Sequence, residues 1–196
     1  MMNTPQPDYN MKIIPLTEQV FRWYILEDYS YERKILASIK YTRRFTGERL
    51  DPLEIKSIIE MARWAPSIGN IQPWELIIVD DPMEIHRVAR LHPAGRVFEK
   101  AGVLIFIVTD PEQSPHHIID GGSLMAYLCL AASIKGYAVM ILNLNNDPVI
   151  KSELNIPPSK YLLGLVAIGK EAGASPIMPR KSIDMITYHN KYGLRR

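Results

Sequence analysis

The chain has 196 residues, with 23 lysines and arginines against 21 aspartates and glutamates, which gives a formal charge of +2. Its apolar content of 47% is that of a globular protein with a sizeable core and excludes a disordered chain. The small net charge argues against a general nucleic-acid surface, and a single cysteine, Cys129, excludes an internal disulfide or a multi-cysteine zinc site.

Local sequence argues against a membrane protein and a thiol enzyme. Cys129 lies between Leu128 and Leu130, which favours an inert buried thiol over a catalytic nucleophile. The uninterrupted apolar stretches reach about eight residues, too few to cross a bilayer. The N-terminus lacks a basic segment followed by an apolar one, so we expect no secretory signal and a cytoplasmic location.

Residues 1–33 differ in composition from the rest of the chain. They hold six of the 17 aromatic residues, whereas a disordered tail is poor in aromatics. We expect an N-terminal extension that folds against its own domain or a partner subunit, with a short helix over Thr17–Leu26. The main domain is then 34–196.

Two helices are predicted at the start of this domain. The first spans Tyr31–Lys40. The second has the clearest start signal in the chain, because Asp51 can cap, Pro52 suits the first helical position and Glu54 follows three residues after the cap. Apolar residues at helical spacing continue until Pro66, which should end the helix.

Strands and helices alternate along the rest of the chain. The predicted strands are Glu75–Val79, Val103–Val108, Tyr137–Leu142 and Leu162–Ile168, and the predicted shorter helices are Pro82–Leu91, Pro148–Leu154 and Ser182–Asn190. A long apolar helix capped by Asp120 should run to Lys135 and stop at Gly136, and Ser175–Pro179 should be extended. The expected class is α/β (α+β), with a central mixed sheet flanked by helices.

The first polar cluster is the basic run Lys40-Tyr41-Thr42-Arg43-Arg44. Arginine forks next to hydroxyl groups can surround a phosphate. A solvated turn between two helices is the alternative interpretation.

The second polar cluster is the segment Ala65–Trp74, APSIGNIQPW, between a helix and a strand. Its short polar side chains and backbone amides could contact a polar ligand. An ordinary helix-to-strand connection made of turn residues explains it equally well.

Together these segments resemble the FMN-dependent nitroreductase family. APSIGNIQPW is similar to the family's signature loop, IKYTRRF at residues 39–45 to its basic motif, and Pro179-Arg180 to its C-terminal Pro-x-Arg motif. The long helix ending in Gly136 resembles the family's central dimer helix. The resemblance covers about 35–193 and implies a homodimer of the domain-swapped type, FMN as cofactor and NAD(P)H as transient electron donor.

The resemblance also implies a role for each matching residue. Arg43, Arg44, Lys40 and Arg180 would bind the FMN phosphate. Two departures from the family pattern, Ile39 for arginine and Tyr41 for serine, leave this site less complete.

The remaining matches concern the flavin ring. Pro66, Ser67 and Ile68 would cover it from the partner subunit, and Asn70 would support the loop or reach the flavin. The backbone of Ile141, Leu142 and Asn143 would approach the flavin N5 edge. Gln72 and Trp74 are expected to hold the loop and pack on the sheet.

The function implied is reduction of a small electron-poor acceptor, such as a nitroaromatic, quinone or flavin, by a ping-pong mechanism without a protein nucleophile. Two alternatives stay open: a ring-fragmenting or dehalogenating relative, and a flavin-binding protein without turnover. Neither His116-His117 nor Gly121-Gly122 carries the spacing of a metal or dinucleotide motif.

Overall fold

The computed structural model describes residues 35–173 and 180–195. The predicted extension 1–33, its helix Thr17–Leu26 and the segment Ser175–Pro179 lie outside the described residues. The chain divides into two units between Ala37 and Ser38, and of the first unit residues 35–37 are described, all of them helical. The helix predicted to Lys40 is therefore wrong at its end, because residues 39 and 40 are not helical.

Four strands form one sheet in the order β1-β2-β4-β3, and each neighbouring pair is antiparallel. They are β1 (Trp74–Val79), β2 (Val103–Thr109), β3 (Ala138–Asn143) and β4 (Tyr161–Gly169). An isolated parallel bridge joins Tyr41 to Val139. Every residue of the central strand β2 is buried, as its continuous apolar run predicts. The predicted central sheet flanked by helices is confirmed. Its four strands are antiparallel, and the Tyr41–Val139 bridge is the parallel pairing found among the described residues.

Besides the helical residues 35–37, the described part of the chain contains five α-helices: α1 (Pro52–Ala62), α2 (Pro82–Arg90), α3 (His117–Ile134), α4 (Pro148–Glu153) and α5 (Ile183–Ile186). Three of them start at an Asp-Pro pair, in which the aspartate accepts a hydrogen bond from the second helical amide. The distances are 2.7 Å for Asp51, 2.8 Å for Asp81 and 2.9 Å for Asp147. Side-chain capping and a pre-set proline φ therefore fix these starts.

The prediction that Asp120 caps α3 is wrong. The helix begins at His117, and Asp120 lies buried in its first turn. The predicted stop is confirmed, since Lys135 caps the helix and Gly136 takes the left-handed φ of 86° that glycine adopts without strain.

Two other predicted helices are too long. α1 ends at Ala62 because the amides of Trp64 and Ala65 bond three residues back, which tightens the last turn. α5 has four residues, and Thr187 is extended with its hydroxyl donating to the Ile183 carbonyl at 2.9 Å. That side-chain bond takes the carbonyl which a longer helix would have used.

The core lies on both faces of the sheet. On one face, apolar residues of α1 and α3 pack against alternate residues of β2, among them Ile58, Leu128 and Ile105. On the other face, α2 and α4 pack against the intervening residues, among them Ile85 and Phe106. Of the helices described, α3 alone has the length and apolar composition to cross a membrane, and half of it is buried within the fold, as in a core helix.

The start of α3 approaches the sheet closely at Gly121. A Cβ there would lie 2.6 Å from Leu163 Cδ2 and 2.7 Å from Thr109 Cγ2. Thr109 cannot rotate away without losing the 2.8 Å hydrogen bond between its Oγ1 and His117 Nδ1. Glycine is therefore required for this contact.

We expect Gly121→Ala to lower the free energy of unfolding by about 1–3 kcal/mol, the cost of overpacking. Chemical denaturation of the two proteins measures the difference. Gly122→Ala is the matched control, because a Cβ at Gly122 would meet nothing within 4 Å. Equal losses at both positions would contradict the packing argument.

Asp110, just after β2, forms an ion pair with Lys160 at 2.8 Å, and its backbone amide donates to Pro73. The Lys160 hydrogen bond is the main cause that lowers the pKa of Asp110 from 3.8 to about 2. A carboxylate with a depressed pKa stabilises the fold above its unfolded pKa, and loses that contribution as the pH falls through its folded pKa.

We therefore expect Asp110→Asn to be less stable than the wild type above pH 3.8, with the difference vanishing as the pH falls to about 2. Denaturant unfolding at a series of pH values tests this. A stability difference that does not change with pH would contradict the role of the charge.

Candidate active site

The basic turn lies along the free edge of β3. The Thr42 amide donates to the Val139 carbonyl at 3.0 Å, and the Val139 amide donates to the Lys40 carbonyl at 2.8 Å. Thr42 is buried, and its Oγ1 accepts from the Arg44 amide at 3.1 Å. These bonds fix the backbone of the turn while the side chains of Lys40, Arg43 and Arg44 stay exposed.

Arg180 belongs to the same neighbourhood. Burial is the main cause that raises the pKa of Tyr41, Cys129 raises it further, and the positive charge of Arg180 acts in the opposite direction. On the other side of the turn, the Arg44 guanidinium lies beside Gly173, where a Cβ would be 3.5 Å from Arg44 Nη2. The structure thus gathers cationic groups around one end of β3, which suits an anion.

The last residues of β3 are Ile141, Leu142 and Asn143. Backbone groups of an antiparallel strand alternate in direction, and Val139 directs its amide away from β4, toward Lys40. Ile141 and Asn143 share that parity, so their backbone groups also point outward, whereas the Leu142 backbone points toward β4. Leu142 is three residues beyond Val139, where the basic turn is bonded. At a rise of roughly 3.3 Å per residue, it lies about 10 Å further along this edge.

The loop Ala65–Trp74 contains several hydrogen bonds between its own polar groups. Ser67 Oγ accepts from the Gln72 amide at 3.0 Å, and the Gln72 side chain donates to Asn70. Gly69, Asn70 and Gln72 take φ values of 64°, 56° and 53°. Gln72 holds the loop as predicted, and Trp74 packs against the core.

The structure adds one residue that the sequence pattern assigned to a different role. Asp120 Oδ1 accepts a hydrogen bond from the Ile68 amide at 2.9 Å, across 52 positions of sequence. The available signal was an aspartate followed by two glycines in an otherwise apolar helix.

One chain does not bring all predicted site residues together. The loop leads into β1 and the basic turn lies against β3, which are the two opposite edges of the sheet. Three strand spacings separate these edges, about 14 Å in all. The cationic turn and the Pro66–Ile68 segment therefore form two separate parts within a chain.

The remaining candidate groups have structural roles. Cys129 is fully buried, as predicted, and burial raises its pKa to about 12, which disfavours the nucleophilic thiolate. His116 is exposed, whereas His117 is buried against Thr109. Within residues 35–173 and 180–195, no three His, Cys, Asp or Glu side chains are grouped to hold a metal.

The chain belongs to the nitroreductase family. The sequence pattern that defines this family matches residues 38–94 and 85–170. A relative from Archaeoglobus fulgidus, provisionally named as an NADH dehydrogenase/NAD(P)H nitroreductase, is 25% identical over 141 residues, which are 66% of this chain and 81% of the relative. The predicted membership of the nitroreductase family is thereby confirmed.

Solved structures show the same fold. A Parabacteroides distasonis protein, provisionally named in the same way, has a TM-score of 0.75 at 21% identity and covers 81% of this chain and 97% of its own. The FMN-dependent nitroreductase of Clostridium difficile R20291 has a TM-score of 0.72 at 20% identity, with coverage of 81% and 98%. NfrA1 nitroreductase from B. subtilis has a TM-score of 0.75 at 19% identity, with coverage of 83% and 75%.

Proposed function

We propose that this protein is an FMN-dependent oxidoreductase that takes hydride from NAD(P)H and reduces a small electron-poor acceptor by a ping-pong mechanism. The observation that carries this proposal is the arrangement on β3. Cationic side chains surround one end of a free strand edge, and outward backbone groups follow along it. A long ligand with a phosphate at one end and a polar ring at the other fits this arrangement.

The donor set is suited to FMN. Lys40, Arg43, Arg44 and Arg180 would neutralise the phosphate, with arginine forks giving paired hydrogen bonds. The outward amides of Ile141 and Asn143 would donate to acceptor atoms of the ring. When bound, FMN supplies the redox chemistry, and the chain supplies binding and orientation.

We further propose that two copies of the chain share each site. The basic turn and the Pro66–Ile68 segment are apart within one chain, so a second copy would supply the segment that covers the ring. α3 leaves apolar side chains exposed, with Ile118 at 48% and Ile119 at 65%, which suits a subunit interface. We also propose that the protein is cytoplasmic and that residues 1–33 form an extension of the main domain, 34–196.

Steady-state kinetics of the FMN-loaded protein test the reaction. With NAD(P)H and a nitroaromatic, quinone or flavin acceptor, we expect parallel double-reciprocal lines, because donor and acceptor occupy the same place in turn. Intersecting lines would contradict the ping-pong mechanism. FMN binding without NAD(P)H oxidation would favour a binding protein, and fragmentation or dehalogenation products would favour the alternative relatives.

A further inference from the structure

We propose that Asp120 is the positioning residue for the flavin-covering segment Pro66–Ile68, an inference that rests on the proposed function. Asp120 would not touch the ring. It would act through its hydrogen bond with the Ile68 amide, and so fix the position of the covering segment relative to α3 and the sheet of the same chain.

The Asp120 carboxylate is buried, and its position is fixed by tight packing of the neighbouring residue. Asp120 is 1% exposed, and its Oδ1 lies 2.9 Å from the Ile68 amide nitrogen. The next residue, Gly121, lies so close to Leu163 and Thr109 that no Cβ would fit without displacement. The carboxylate is thus fixed to the sheet, and a group bonded to it is fixed as well.

The negative charge of Asp120 strengthens its hydrogen bond with the Ile68 amide. An aspartate in the first turn of an 18-residue helix lies at the positive end of the helix dipole. Its second oxygen, Oδ2, is buried and has no hydrogen-bond partner within the described part of the chain. The Ile68 amide is therefore the donor that this carboxylate depends on, and a charged acceptor forms a stronger bond than a neutral one.

On the loop side, Ile68 is the first residue of a 3-10 turn that ends at Asn70. The first amides of a helical turn have no partner within the turn. The bond from the Gln72 amide to Ser67 Oγ lies within the loop and does not attach the loop to the sheet. Asp120 supplies that attachment on the side of Pro66 and Ser67.

Two pairs of variants separate this bond from general damage. Asp120→Leu removes the acceptor, and Asp120→Asn keeps an acceptor oxygen of the same shape. Ile68→Pro removes the donor, and Ile68→Ala truncates the side chain but keeps the donor. Proline is compatible here because Ser67 has φ −134° and ψ 153°, a conformation favoured before proline, and Ile68 opens a helical turn.

Two measurements apply to each variant: hydrogen exchange of amides 69–72 in the apoprotein, and FMN affinity by titration. We expect Asp120→Leu and Ile68→Pro each to speed that exchange and to weaken FMN binding at least about tenfold. Asp120→Asn keeps an acceptor but loses the charge, so it should fall between the wild type and Asp120→Leu in both measurements. Ile68→Pro should bind FMN more weakly than Ile68→Ala. The double variant Asp120→Leu/Ile68→Pro should bind FMN no worse than the weaker single variant, because both remove one bond.

Asp120→Leu with wild-type exchange and wild-type FMN affinity would overturn the inference, and so would full additivity in the double variant. Should Asp120→Leu fail to fold, the comparison of Ile68→Pro with Ile68→Ala decides, and equal affinity and exchange in that pair overturn it. A wild-type protein that binds no FMN contradicts the proposed function instead. The exchange comparison in the apoprotein then still decides whether Asp120 fixes the loop.

Discussion

Arg180→Ala is expected to weaken FMN binding by roughly 10- to 150-fold, which corresponds to the 1.5–3 kcal/mol of a charge-assisted hydrogen bond. The expectation follows from the position of Arg180, whose charge acts on Tyr41 in the basic turn. Fluorescence titration of FMN onto the apoprotein measures the affinity.

The control variant is Arg96→Ala, an exposed arginine on the 3-10 turn Gly95–Val97. It should bind FMN like the wild type. Riboflavin, which lacks the phosphate, gives a second control: wild type and Arg180→Ala should bind it equally. An Arg180→Ala protein with unchanged FMN affinity would refute the phosphate role.

Ile119→Glu is expected to convert the protein into a monomer and to abolish tight FMN binding. Ile119 is 65% exposed on α3, and a glutamate there would place an unpaired charge in the proposed subunit interface. Burying an uncompensated charge in an interface makes the free energy of association less favourable by several kcal/mol. Analytical ultracentrifugation measures the assembly, and the FMN titration is repeated on the same sample.

The matched control is Met83→Glu on α2, where the side chain is 81% exposed and lies on the opposite face of the sheet. This variant should remain a dimer with bound FMN. If Ile119→Glu stayed a dimer, the α3 face would not be the interface. If it became a monomer that still held FMN tightly, the site would not be shared between two chains.

Local signals predicted the elements of the fold well. The Asp51-Pro52 start of α1 was predictable because capping depends on residues adjacent in sequence. β2 was predictable because a strand buried on both faces is apolar throughout. The helix predicted over Ser182–Asn190 was wrong because the Thr187 side chain competes for a backbone carbonyl, which apolar spacing does not report.

Relations between distant residues could not be predicted in the same way. Asp120 resembles a helix cap, and its true partner is the Ile68 amide 52 positions away. The motifs identify the basic turn and the loop, but their placement at opposite edges follows from the strand order β1-β2-β4-β3. Since hydrophobic pattern alone does not encode strand order, the separation of these two segments within one chain emerges only from the fold.

The proposed function requires that the chain hold an FMN that accepts electrons from NAD(P)H. The most direct test is an anaerobic titration of the FMN-loaded wild-type protein with NADH or NADPH, followed by its visible absorbance. We predict that the yellow flavin band bleaches as the nicotinamide is added and returns when a quinone or nitroaromatic is admitted. A protein that takes up no FMN, or whose bound flavin stays yellow with both nicotinamides, would contradict the claim.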